Sequence, residues 1–476
     1  MKKSNKKAEK SSAVRRAGTL GLAALVLSLL AAGGCKKEAP ALEGDNVILA
    51  RTGFASAFRL VTDPYADNGS LADSRMLADI IKARTGSELK EVAASDIGAR
   101  TPYLLAFGAC DIHECSELMF GLSANEYALR CSEPDDGLTV SVAFKSPIAR
   151  LCAIERLLTD YFKDGTLAVP RDLDVRGSVN ADDHIITTGV SLRDPCIMIE
   201  DGTYYMYGTG WKLYKNSGTD LTAGWEGPIS CVEEPADKDN NPWAPEVYHL
   251  KELGGYYMFT TYHSSVTGHR GVAVFRSETP EGPFKLHSGG HVTPADWDCI
   301  DGTLYFDKAG TPWMVFVREW TGTPDNVGRM DVAQLSADLT HFVSEPKELF
   351  TAASANWCSA QVTDGPWLYN AKDGSLLMIW SNFEADNCYA VGLAKSASGR
   401  VNGSWSQLDR MVYSASVASS YDGGHGMIFT APDGQLYMSL HSPNSPSGER
   451  KTLAVFIPLI EDSGYIMWKV YDGENG

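Results

Sequence analysis

Five segments share one shape: EDGTYYMYGTG at 200–210, LGGYYMFTTYH at 253–263, KAGTPWMVFVREW at 308–320, KDGSLLMIWSNF at 372–383 and PDGQLYMSLHS at 432–442. Each runs from a glycine turn into an aromatic or apolar pair, then Met or another apolar residue, then further apolar positions. They begin about 53 to 64 residues apart, room for one four-stranded unit each. A strand running into a polar turn follows most of them: GVAVFRSETPEGPF, DVAQLSADLTHF, AVGLAKSASGRVNGSW and TLAVFIPLI. A lone β-meander of this kind cannot bury both faces, and radial stacking of five solves that. The repeat therefore predicts an all-β five-bladed β-propeller over 185–476. A β-sandwich with coincidental turns is the alternative.

Before the repeats the pattern is mixed. NVILA, PYLLAFGA, YALRC and LTVSVAF are strand-length apolar runs. Leu71, Leu77, Ile80 and Ile81 lie roughly on one helical face. Ser146-Pro147 is an N-cap with proline at the first helical position, and an apolar stripe from Ile148 to Phe162 follows it. Residues 46–178 read as a small α+β domain. The stretch EYALRCSEPDDGLTVSVAFKSPIARLCAIERLLTDYF resembles the domain preceding the catalytic domains of family 20 hexosaminidases and family 67 α-glucuronidases, which implies an accessory role.

The first residues are basic (Lys2 to Arg16), then apolar (LGLAALVLSLLAA), ending in Gly34-Cys35. That run is too short for a stable membrane span. AGGC resembles a bacterial lipobox. The expectation is a signal peptide at 1–34, a tether at 35–45, and a lipoprotein of the bacterial cell envelope that meets membrane only through lipid on Cys35. Nine cysteines remain, an odd number, without zinc spacing; most read as small buried side chains. A formal net charge of −18 argues against a nucleic-acid partner.

Three acids precede the repeat hairpins: Asp194 in SLRDPCIMIEDGTYYMYGT, Asp301 in DWDCIDGTLYFDKAGTPWMVF and Asp364 in SAQVTDGPWLYNAKDGSLLMIW. Placed equivalently on three blades, they would meet near one axis. Such clustering is costly unless function needs it, and it separates the pKa values. Glycosidic cleavage without a metal uses one ionised carboxylate to activate water and one carboxylic acid to protonate the leaving oxygen.

From about Ser191 onward the chain resembles glycoside hydrolase family 43, on LRDP with EDGTYYMYGT, WAPEVYHL with GYYMFTTY, WDCIDGTLYFD, VTDGPWLYNAKDGSLLMIWS, YDGGHGMIF and LHSPN. The resemblance implies Asp194 as general base, Asp301 as the acid that tunes and orients, Asp364 as general acid, and inversion. It places Arg193, Trp243, Glu246 and Arg318 around the substrate, with Glu246 the rival acid. It requires no cofactor and allows a structural Ca2+ or Na+ ion near His425 in the channel. Two positions depart from the family pattern. Its usual donor is a Glu, one methylene longer than Asp364, and Arg318 of VREW stands where relatives carry histidine. The expected substrate is an oligo- or polysaccharide, cleaved in exo fashion at α-L-arabinofuranosides or β-D-galactofuranosides. β-Xylosidase activity and a non-catalytic glycan-binding propeller are the alternatives.

Overall fold

Helical spacing before residue 181 and short turn-bounded strands after it divide the chain, and the computed structural model follows that division. It describes residues 37–63, 65–97, 101–134, 137–418, 420–446 and 450–473. The leader and Cys35 lie outside the described residues. Among the described residues, no helix is long and apolar enough to cross a membrane.

The first part holds two sheets and three helices. A six-stranded mixed sheet runs in the order Asp174–Ser178, Glu126–Ser132, Leu138–Phe144, Tyr103–Phe107, Arg59–Thr62, Lys90–Ala93. A four-stranded sheet pairs Leu42–Glu43 with Asn46–Arg51, so the segment expected as a tether at 35–45 already contributes a strand. Helix α1 (Asn68–Thr85) begins where the Asp67 carboxylate accepts the Ser70 amide at 2.8 Å and ends at left-handed Gly86. Its Met76, Leu77, Ile80 and Ile81 are fully buried, about 1.5–3 kcal/mol each. Helix α2 spans His113–Phe120, and α3 (Pro147–Asp160) opens on the Ser146 cap and the expected proline.

The second part is five successive antiparallel sheets, the first four each a meander of four strands and the last five-stranded. Their first strands are Cys196–Glu200, Trp243–Leu250, Cys299–Phe306, Asp364–Asn370 and Gly424–Thr430. Each expected repeat supplies the turn and second strand. Each first strand touches the next, and Gly424–Thr430 touches Cys196–Glu200. In the fifth sheet, Leu453–Asp462 takes two partners along one edge: Ile186–Thr187, which precedes all five sheets, and the late strand Tyr465–Trp468.

The two parts share one apolar core. Residues of α1 and α3 pack with Leu377, Leu393, Val412, Ile457 and Trp468 of the fourth and fifth sheets. A buried ion triad pins the seam: Asp73 of α1 takes Arg150 of α3 at 2.7 Å and Arg410 of the fourth sheet at 2.9 Å. Burial alone would raise the Asp73 pKa, but the two guanidiniums outweigh it and hold the pKa below its ordinary value. Glu155 of α3 accepts the amides of Val470 and Tyr471 at 2.7 and 2.9 Å, just beyond the last strand. Removing one member of a buried charge set strands the others, so Asp73→Ala is expected to cost about 3–5 kcal/mol. The measurement is the urea midpoint; a wild-type midpoint would show that the arginines find other partners.

Candidate active site

Each of the five sheets opens on the same backbone feature. At Asp194, Ala244, Asp301, Gly365 and His425 the chain enters the left-handed region, with φ of 55°, 43°, 55°, 48° and 56°. In sheets two to five the strand pairing slips across this residue, as in a bulge that re-aims a side chain. Residues other than glycine pay about 1–3 kcal/mol for this conformation. The amide at each bulge is captured by the preceding sheet. Thr209 accepts from Ala244 at 3.0 Å, Thr261 from Asp301 at 3.0 Å, Ser381 from His425 at 2.9 Å and His441 from Asp194 at 3.3 Å.

The four acceptors each stand three positions after the repeat methionine, at Met206, Met258, Met378 and Met438. The third repeat has Val317 there, which cannot accept. Gly365, whose amide would need it, donates instead to Asp301 Oδ2 at 2.9 Å. Asp301 thus fixes the backbone next to Asp364.

The three acids line one cavity of about 560 Å³. The equivalence expected from the sequence does not hold: Asp194 and Asp301 occupy the left-handed position, whereas Asp364 sits one residue before it. The reason is steric. A β-carbon on Gly365 would come within 2.9 Å of the His425 ring, so no side chain fits there. Asp364 instead accepts from the Tyr389 hydroxyl at 3.0 Å.

Their environments separate the acids. Burial would raise the Asp194 pKa, but His425 at 3.5 Å, His441 at 3.2 Å and the Thr209 hydroxyl outweigh it and hold it below the ordinary range. Burial pushes Asp301 up to about 7, with Asp194 and Glu319 adding to it against the Gly365 amide. Burial and the Asp301 charge push Asp364 up to about 7, opposed by His425 and Tyr389. Near neutrality the cavity therefore offers an ionised carboxylate at Asp194 and a protonated acid on the Asp301–Asp364 side.

The other expected site residues divide. Arg193, Trp243 and His425 line the cavity. Glu246 lies outside that lining, hydrogen-bonded to the Tyr248 hydroxyl, and burial pushes it up to about 8. Arg318 turns away to Asp331 at 3.4 Å and covers the Trp297 ring at 4.1 Å; its neighbours Glu319 and Trp320 line the cavity instead. Thr209, Tyr389, Glu319 and His441 were missed. For Thr209 and His441 the signal was present, as the polar position after the repeat methionine.

His425 is the residue expected near a cation. His425 Nδ1 faces Asp194 and Asp301 at 3.5 and 3.8 Å. Among the described residues no three His, Cys, Asp or Glu side chains group to hold a metal ion. Ca2+ takes about six to eight oxygens. Gly365→Ala, which forces His425 and the Asp364 backbone apart, is expected to lower kcat by about a hundredfold. Circular dichroism and turnover measured together check this; wild-type turnover would show that the close approach is dispensable.

Comparison with known proteins places this geometry. Residues 185–461 match glycosyl hydrolases family 43. The chain is 35% identical to an endo-arabinase of Bacteroides thetaiotaomicron VPI-5482, covering 60% of this chain and 99% of that one, with a TM-score of 0.52. An endo-1,4-beta-xylanase of the same organism is 26% identical over 60% of this chain and 96% of its own, with a TM-score of 0.50. An extracellular exo-α-(1→5)-L-arabinofuranosidase of Cellvibrio japonicus is 26% identical over 34% of this chain and 49% of its own, so the chain spans about half that relative's length. With the family match over more than half its length, the chain belongs to glycoside hydrolase family 43.

Proposed function

We propose that this protein is an inverting, exo-acting glycosidase on α-L-arabinofuranosides or β-D-galactofuranosides, with its five sheets as the blades of a closed propeller. The contact of the last sheet with the first, and Ile186–Thr187 on the edge of the last, support closure. The observation that carries the chemistry is the split between Asp194, held ionised, and Asp364, raised to about 7 in the same cavity. Asp194 takes a proton from water as the water oxygen bonds the anomeric carbon. Asp364 gives its proton to the glycosidic oxygen as that bond breaks. Asp301 raises the donor's pKa and holds its backbone through the Gly365 amide. The arabinan-directed names of two of the similar proteins support the sugar assignment. The similarity to a xylanase keeps β-xylosides as the second reading. The same proposal places the α+β part as an accessory and the chain in the bacterial envelope, anchored at Cys35.

NMR of the first anomer released from an aryl α-L-arabinofuranoside tests sugar and stereochemistry together. Inverted product is expected; retained product would end the assignment of Asp194 as general base. Asp194→Ala and Asp364→Ala are each expected to lower kcat by about 10²–10⁴ with the fold intact.

The donor assignment also fixes the pH profile. A donor must be protonated, so kcat/KM is expected to fall as pH rises through about 7. Tyr389→Phe removes a hydrogen bond that favours the Asp364 carboxylate, and should move this limb up by about half to one pH unit. Asp301→Asn removes the repulsion that raises Asp364, and should move it down. Limbs that stay in place would remove Asp364 from the donor role.

A further inference from the structure

A second cleft, of about 390 Å³, adjoins the catalytic cavity and shares Arg193 and Thr209 with it. Four cations line it, Arg193, Lys212, Arg450 and Lys451, and among the described residues no Asp or Glu does. In a chain with 60 acidic and 42 basic residues this is a local reversal of charge. Several arginines elsewhere are neutralised, Arg150 and Arg410 by Asp73 and Arg270 by Glu319 at 2.7 Å. Among the described residues none of the four cations has an acidic partner within ion-pair distance.

Arg193 is held in place, its Nη1 donating to the Asn444 carbonyl at 2.9 Å and its Nη2 to Asn444 Oδ1 at 2.6 Å. Arg450 lies over the Tyr421 ring. Like charges gathered around one hollow repel each other, and an entering anion relieves that. Guanidinium and ammonium groups together suit an oxyanion, the first by its fork and the second as a point charge. Thr209 hydrogen-bonds Asp194, so the cleft begins one side chain from the group that activates water.

We propose that this cleft is a subsite for an anionic substituent, a uronate carboxylate or a sulfate ester, on a sugar unit neighbouring the one cleaved. The proposal rests on the place given to Asp194 in the cavity, and leaves open which neutral sugar is released.

The test is calorimetric titration of the full chain with trigalacturonate, with a sulfated galacto-oligosaccharide, and with neutral galactotriose. At least one charged ligand is expected to bind about tenfold or more tighter than galactotriose. That preference should shrink at high salt and vanish in a Lys212→Gln/Lys451→Gln double variant, and the tighter of the two names the anion. Equal affinity for charged and neutral ligands, or a double variant that binds as wild type does, would overturn the proposal. Binding is read without turnover, so failure to cleave arabinofuranosides would sink the sugar assignment and leave this result standing.

Discussion

The site depends on a backbone amide. Each sheet begins with a residue forced into the left-handed region, and each of those residues has its N–H held by the sheet before it. The strain at the four that are not glycine is tolerable because the hydrogen bonds hold them in place. They also hold the sheets in register with one another. A side chain on a bulge is aimed with the precision of the sheet it belongs to, which is what a pair of cooperating carboxylates requires. The same bonds therefore set the fold and the chemistry.

The third sheet shows what happens when the pattern is broken. Val317 offers no acceptor, and the amide of Gly365 falls to the Asp301 carboxylate. A structural bond is thereby converted into a link between two acids of the site. The His425 ring occupies the space a side chain on residue 365 would need, which displaces the acid to Asp364 and toward Tyr389. The shortened carboxylate is thus held between a neighbour's backbone contact and a phenol.

Much of this was legible in the chain. The five repeats gave the sheets, because a glycine turn followed by alternating aromatic and apolar residues has few other uses. Asp194, Asp301 and Asp364 were legible because an acid ahead of each of three hairpins is hard to explain by turns alone. Arg318 was misleading: it is the last residue of its strand and meets Asp331, and the turn that follows brings Glu319 and Trp320 to the cavity. Glu246 sat in a suggestive motif, yet its carboxyl turns to Tyr248 behind the cavity wall. Tyr389 carried no local signal, since its partner lies 25 residues away and only the sheet brings them together.

The edge strand shared by Ile186–Thr187 and Tyr465–Trp468 joins what comes before the five sheets to what comes after them. Glu155 then holds the chain immediately past that strand, and Asp79 takes the Tyr465 hydroxyl at 2.5 Å. The front portion of the molecule thus grips the tail that completes the final sheet. Trimming the protein to the 185–461 interval would leave that sheet short of Tyr465–Trp468 and would bare the apolar residues of the last two sheets that α1 and α3 cover.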